Sequence, residues 1–200
     1  MNYSRAEELL PGVKAYYNVW PESQDFIKQL EIGSEKGLAW VPAAIHKEGK
    51  GPVVDTQVRV LDVLSVPRFD AAPTNGRALV EDAYDAYTQM CSNIDPVVEE
   101  YVKEYSVAVT SKEPYQILRY KENNFFRYHV DDSPNRPRRL SYCYYINDDY
   151  EGGELHFGKF AKTIKPEAGQ LVVFPSNYMY AHAARPILNG TKYVVSSWWN

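Results

Sequence analysis

After residue 105 the chain changes period. Apolar residues that recur at helical spacing before that point alternate beyond it. Candidate strands follow one another at 105–110, 114–121, 125–131, 138–147, 153–157, 161–165, 169–174, 179–187 and 191–199, separated by Gly, Pro, Asn and Asp. So many short strands present more edges than one open sheet can protect, and folding two sheets over each other covers them. The expected core is a jelly roll: mainly β, of the α+β kind, with helices flanking one sheet.

The first half supplies those helices. Residues 21–31 read as a short helix with Phe26, Ile27 and Leu30 as its apolar stripe and Gly33 as its stop. Residues 36–69 are β-rich but interrupted by Gly49, Gly51, Pro52 and Pro67, which suits outer strands and loops. From Gly76 to Tyr105 the pattern is helical, through Leu79, Val80, Ala83, Tyr84, Tyr87 and Met90. It resumes at Val97, Val98, Tyr101 and Val102, so two helices broken at Asp95-Pro96 are expected. With 200 residues and 44% hydrophobic content the chain is expected to be one domain, residues 1–105 supporting a β core at 106–200.

Composition removes several function classes. A net charge of −4 offers no broad basic surface, which argues against nucleic acid as partner. No apolar run approaches the roughly 18 residues that cross a bilayer, and Met1 to Arg5 do not open a signal peptide. The expectation is a cytoplasmic protein without a membrane partner; the sequence is silent on oligomeric state. The two cysteines, Cys91 and Cys143, have no CxxC spacing and read as reduced and packed. Seventeen tyrosines and four tryptophans suit strands and an aromatic-lined pocket.

Within the β half, His129-Val130-Asp131 carries chemistry. Side chains at i and i+2 of an extended segment leave the same face, so an imidazole and a carboxylate can converge on one point. Those are two parts of a 2-His-1-carboxylate facial triad, which holds non-haem Fe(II) and leaves the opposite face open. Of the four histidines, His182, just after a strand and a turn, is the natural third ligand; His46 and His156 read as non-ligands. Alternation along the last strand puts Lys192, Val194, Ser196 and Trp198 on one face. Lys192 then has two readings: a surface residue whose stem lies along apolar neighbours, or a buried ammonium that needs an anionic guest.

Residues 114–199 resemble the prolyl 4-hydroxylase group of Fe(II)/2-oxoglutarate-dependent dioxygenases. The likeness is an ordered series: Tyr120; His129-Val130-Asp131; Arg138-Arg139-Leu140-Ser141 leading into Tyr144-Tyr145-Ile146-Asn147; Glu151-Gly152-Gly153-Glu154-Leu155-His156-Phe157; Pro166-Glu167-Ala168-Gly169 before Leu171-Val172-Val173-Phe174; His182; Gly190-Thr191-Lys192-Tyr193; and Trp198. It implies a double-stranded β-helix core. His129, Asp131 and His182 would ligate Fe(II), Lys192 would pair with the distal carboxylate of 2-oxoglutarate, and Tyr145 and Tyr120 would lie near that co-substrate. Arg138 and Trp198 would line the mouth where a peptide lies. For Tyr145 and Tyr120 a plain core role stays open, and for Arg138 a solvated basic loop with Arg136 and Arg139.

The activity so implied is hydroxylation of a proline-containing peptide or protein at the 4-position. O2 is consumed, 2-oxoglutarate is converted to succinate and CO2, and ascorbate serves as reductant. Two other readings remain: a 2-oxoglutarate oxygenase acting on a non-prolyl residue or small molecule, and a non-catalytic jelly-roll binding module. The family's glycine-rich stretch before the metal histidine is replaced by Lys121-Glu122-Asn123-Asn124-Phe125, and a frequent tyrosine is Phe126. Both departures border the expected substrate entrance. The Gly152-Gly153 pair is expected to serve a tight turn and close backbone packing, since no helix follows it to bind phosphate.

Overall fold

The computed structural model of the protein describes residues 3–35, 40–47, 51–65 and 77–200. The first half contains β1 (Arg5–Leu10), β2 (Val13–Tyr17), α1 (Ser23–Glu35), β3 (Val41–Pro42), β4 (Ile45–Lys47), β5 (Gly51–Val53), β6 (Arg59–Val60), β7 (Asp62–Ser65) and α2 (Arg77–Glu104). The second half contains β8 (Gln116–Tyr120), β9 (Phe125–His129), β10 (Leu140–Tyr145), β11 (Glu151–Gly152), β12 (Leu155–Phe157), β13 (Lys162–Ile164), β14 (Gln170–Pro175), β15 (His182–Ala184), β16 (Ile187–Asn189) and β17 (Lys192–Trp199).

Two antiparallel sheets face each other. The larger runs β1-β2-β14-β10-β17-β8-β7-β3 and the smaller β13-β12-β15-β9-β6, with short ribbons β11-β16 and β4-β5 beside them. This is a jelly roll, and strands of the first half extend both of its sheets: β2 pairs with β14, β7 with β8 and β6 with β9.

Alternation sorts the large sheet's side chains into two cores. Tyr142 and Tyr144 of β10, Leu171 and Val173 of β14 and Val195 of β17 pack with Phe26 and Leu30 of α1 and Met90, Ile94, Val97, Val98 and Tyr101 of α2. Their neighbours Tyr145, Val172, Phe174 and Val194 turn the other way and pack with Leu155 and Phe157 of the small sheet. The helices therefore stiffen one face of the large sheet and leave the other to form a chamber. Polar tips finish the helix layer: Tyr144 Oη donates to Trp20 O at 2.9 Å, and Tyr101 Oη to Gly12 O at 2.7 Å.

Several elements differ from expectation. The first helix runs on through Gly33 to Glu35. A single glycine costs a helix only about 1 kcal/mol, less than the burial of Phe26 and Leu30 returns. The expected pair of helices is one helix, α2, with Pro96 inside it. Pro96 and Ser92, whose carbonyl loses its partner, both face solvent, so water replaces the missing donor. The side chains of Leu79 to Tyr87 and residues Gly49, Pro67 and Gly76 lie outside those described.

Residues 105–110 are not a strand; the chain turns at Ser106 with positive φ and then runs irregularly beside β17, Thr110 N bonding Asn200 O at 2.6 Å. The expected strand 179–187 is divided because Pro186 has no N–H: a 3-10 turn at Tyr178–Tyr180 precedes β15, and β16 begins after the proline. The β1-β2 hairpin has its signal in Pro11-Gly12, a turn dipeptide between apolar residues.

Gly152 and Gly153 adopt φ of 75° and 67°, where only glycine is unstrained. A Cβ on Gly152 would lie 2.3 Å from Pro186 O. We therefore expect Gly152→Ala to lower stability by about 1–3 kcal/mol from the left-handed backbone alone, with the clash adding to it. Urea denaturation at constant slope reads this, and an unchanged midpoint would contradict the close packing.

Candidate active site

Strands β9 and β15 are neighbours in the small sheet, and their register sets His129 directly opposite His182. The two rings lie 4.4 Å apart, centroid to centroid, tilted by 55°. Asp131 follows two residues after His129, on the same side of the extended chain. Its Oδ1 is 3.5 Å from His129 Nε2 and its Oδ2 is 3.7 Å from His182 Nε2. Ligand atoms of all three lie within 4.8 Å of one another.

Both imidazoles are held the same way. Nδ1 of His129 is 2.8 Å from Arg127 O, and Nδ1 of His182 is 3.1 Å from Tyr180 O. A carbonyl only accepts, so each Nδ1 carries a proton and each Nε2 is the nitrogen turned toward the cluster. Phe126 stacks on His129 at 3.6 Å and 14° and fixes its plane. Burial, with His129 as a second cause, lowers the pKa of His182 to about 4, against the opposing pull of Asp131. Burial disfavours the Asp131 carboxylate, but His182, His129 and the Ser141 hydroxyl outweigh it and hold its carboxyl well below the usual range. Two neutral nitrogen donors and one carboxylate, open on one side, could hold Fe(II), and the donor set fits that ion.

The cluster opens into a cavity of about 570 Å³ between the sheets. Lys192, Val194, Ser196 and Trp198 share the face of β17 that lines it, with Tyr120, Cys143 and Tyr145 alongside. Lys192 is 2% exposed, so the surface reading is excluded. Its Nζ donates to Gly153 O at 2.5 Å and lies 5.1 to 5.8 Å from the ring centroids of Tyr145, Tyr120 and Tyr150. Among the described residues no carboxylate pairs with it, and burial lowers its pKa to about 8. Ser196 Oγ, on the same face, also lacks a partner. An enclosed ammonium with spare donors, ringed by aromatic faces, fits the carboxylate of a small dianion.

Residues 115–200 match the family described as the 2OG-Fe(II) oxygenase superfamily. A provisionally named prolyl 4-hydroxylase of Acanthamoeba polyphaga mimivirus is 25% identical over 125 residues, covering 52% of each chain. Prolyl 3-hydroxylase 2 of Homo sapiens is 36% identical over 66 residues, 30% of this chain and 9% of that one. The chain thus spans about half or less of the length of these relatives. A solved prolyl hydroxylase from Trichoplax adhaerens, in complex with a hypoxia inducible factor peptide fragment, superposes with a TM-score of 0.72 at 16% identity, covering 94% of this chain and 83% of that one. Over residues 115–200 the chain is similar to 2OG-Fe(II) oxygenases, and its fold is that of the solved prolyl hydroxylase.

Around this oxygenase-like core the structure adds residues that the motifs alone did not single out. Arg138 is not a solvated loop residue. Its guanidinium is 8% exposed, donates to both oxygens of Glu113 at 2.6 and 2.7 Å, lies 3.6 Å from the Trp198 ring centroid and comes within 4.0 Å of Asp131 Oδ1. Glu113 carried no sequence signal, because a lone acid before a strand is ordinary. Arg59, on β6, also lines the cavity, its guanidinium 4.6 Å from the Phe126 ring centroid. Its Nε is buried and has no partner among the described residues, so that donor could meet a carbonyl or carboxylate.

The remaining histidines stay outside the cluster. His156 leaves the opposite face of β12 from Leu155 and Phe157 and contacts Thr163 Oγ1 at 3.0 Å. His46 sits in β4 opposite Pro52, and its side chain lies outside those described. Burial pushes the Cys143 thiol up to about 12, so this cavity-lining sulfur is not a nucleophile.

Arg138 and Glu113 are mostly buried, and removing Arg138 leaves Glu113 only the more exposed Arg136, at 3.4 Å, as a charged partner among the described residues. Arg138→Ala is expected to lower stability by about 3–5 kcal/mol, and the double variant Arg138→Ala, Glu113→Ala by less than the two singles together. A cost near zero for Arg138→Ala in chemical denaturation would return this arginine to the surface.

Proposed function

We propose that the protein is an Fe(II)- and 2-oxoglutarate-dependent dioxygenase that hydroxylates prolyl residues at the 4-position in a peptide or protein. The observation that carries this is one cavity holding both the His129, Asp131 and His182 cluster and the unpaired ammonium of Lys192. A retired binding fold has no physical reason to keep a buried, uncompensated charge.

His129 Nε2, Asp131 and His182 Nε2 hold Fe(II), which when bound supplies the O2 chemistry that converts 2-oxoglutarate to succinate and CO2 and inserts one oxygen into a C–H bond. Lys192 pairs with the distal carboxylate of 2-oxoglutarate and Tyr145 hydrogen-bonds the same group. The Tyr120 ring stands beside it. The buried walls around them, Leu118, Leu155 and Val194, exclude water and fix the co-substrate's reach. Trp198 and the clamped Arg138 border the mouth, where a stiff polyproline-II-like segment suits an aromatic wall.

The likeness to a prolyl 3-hydroxylase favours a second regiochemistry, oxidation at the 3-position. Ascorbate is the expected reductant. The chain reads as one working unit, residues 1–105 supporting and 106–200 catalytic, since strands of both parts share each sheet. A cytoplasmic setting is the expected one. No described helix is long and apolar enough to cross a membrane.

Turnover of 2-oxoglutarate with Fe(II) and ascorbate across proline-containing peptides, with mass spectrometry of the products, tests the proposal. Succinate formed in step with one oxygen on proline supports it, and fragment ions assign the 3- or 4-position. Decarboxylation with no oxygen on any prolyl peptide would overturn the substrate class. Lys192→Ala should raise the 2-oxoglutarate requirement at least tenfold with little change in metal affinity.

The pH dependence has a definite sign. Free Lys192 loses its proton near pH 8, below its unfolded value of 10.5. A dianion needs the ammonium, so 2-oxoglutarate affinity should be level below pH 8 and fall above it by up to about tenfold per pH unit. For folding the same shift acts in reverse, since the unfolded chain binds more protons between pH 8 and 10.5 and stability rises there. An affinity that is flat to pH 9.5 would remove Lys192 from the co-substrate site.

A further inference from the structure

Ser141 is the second residue of β10 in the large sheet, on the face that looks into the cavity, and Ser176 follows β14, the neighbouring strand. Both are buried, at 1% and 2% exposure. Ser141 Oγ lies 2.6 Å from Asp131 Oδ2 and 2.7 Å from Ser176 Oγ. An ionised carboxylate offers no proton, so the single hydroxyl hydrogen of Ser141 goes to Asp131, and Ser176 must donate to Ser141. The direction of the chain is therefore fixed: Ser176 to Ser141 to Asp131.

Each member is anchored. The Ser176 amide donates to Arg139 O at 3.0 Å, and its carbonyl accepts from Asp132 N at 3.1 Å. Asp132 in turn accepts from Arg138 N at 3.1 Å. The two histidines come from the small sheet and lie 3.5 and 3.7 Å from the Asp131 oxygens, longer than the contact Ser141 makes. The serine chain reaches the carboxylate from the large sheet, while Arg138 approaches the other oxygen at 4.0 Å.

We propose that Ser141 and Ser176 form a directional hydroxyl relay that sets the rotation of the Asp131 carboxylate and so prepares it as a metal ligand, which makes both positioning residues. The inference rests on the oxygenase reading and deepens it at the metal site. The relay acts before metal arrives, because donation to Oδ2 occupies one lone pair and restricts the carboxylate to orientations in which the remaining ones face the histidines. Each hydroxyl also polarises the next, so Ser176 contributes only through Ser141.

Mn(II) binding, followed by loss of the free-ion EPR signal, tests this without turnover. In full-length protein Ser141→Ala should weaken Mn(II) affinity roughly ten- to hundredfold, the usual range for groups that orient a ligand, and Ser141→Thr should retain most of it. Ser176→Ala should weaken binding less, and should have no further effect in the Ser141→Ala background. Wild-type affinity in Ser141→Ala, even with a lowered unfolding temperature, would overturn the relay and leave the oxygenase reading standing. So would a full effect of Ser176→Ala in the absence of Ser141. Absence of Mn(II) uptake by the wild type would overturn both.

Discussion

The register of β9 against β15 is the constraint from which the candidate site follows. With His129 opposite His182, both imidazoles leave one face of the small sheet at adjacent positions. A slip of one residue would turn one of them to the outer face and dissolve the cluster, because side chains alternate with a period of two. What prevents the slip is apolar. β15 is paired on its other side with β12, where Phe157 sits opposite His182 and packs edge-on against Phe174 of the large sheet. The geometry of the candidate metal site is thus inherited from a hydrophobic register.

The large sheet contributes differently. Its inner face supplies Ser141 beside Asp131, and Lys192, Tyr145 and Tyr120 around an ammonium, all on strands whose opposite faces are packed by α1 and α2. Helices whose described side chains do not line the cavity therefore matter to it, since they fix the plane from which these side chains project. The site lies between a small sheet that provides the nitrogen donors and a large sheet that orients the carboxylate and carries the cation.

Legibility in the sequence followed the range of the interaction. His129 and Asp131 could be read together because their proximity is a local property of extended backbone, and the shared face of Lys192 and Trp198 follows from alternation within one strand. The likeness to prolyl 4-hydroxylases rested on such local motifs in order, and it lies in the same part of the chain as the family match to residues 115–200. The residues that escaped are those whose meaning is purely tertiary. Glu113 and Arg59 stand in unremarkable local contexts and acquire roles only when other elements bring Arg138 or Phe126 to them. Pro96 misled for the complementary reason. Its local rule is strong, but its side of α2 faces solvent, where water can satisfy the freed carbonyl.

The two cavity arginines show why identity alone does not assign a role. Arg138 meets Glu113 through two hydrogen bonds, stacks on Trp198 and faces Asp131, so its charge is already matched. A further anion would have to compete with a bidentate carboxylate, which is a poor basis for binding a substrate that comes and goes. Arg59 has an aromatic face beneath it, one long contact to Ala44 O at 3.4 Å, and a buried Nε with no partner among the described residues. An unmet donor in a low-dielectric wall carries a standing cost that an incoming carbonyl oxygen removes. The physical case for contacting a peptide backbone in the cavity is therefore stronger for the arginine with no sequence motif than for the one that has it.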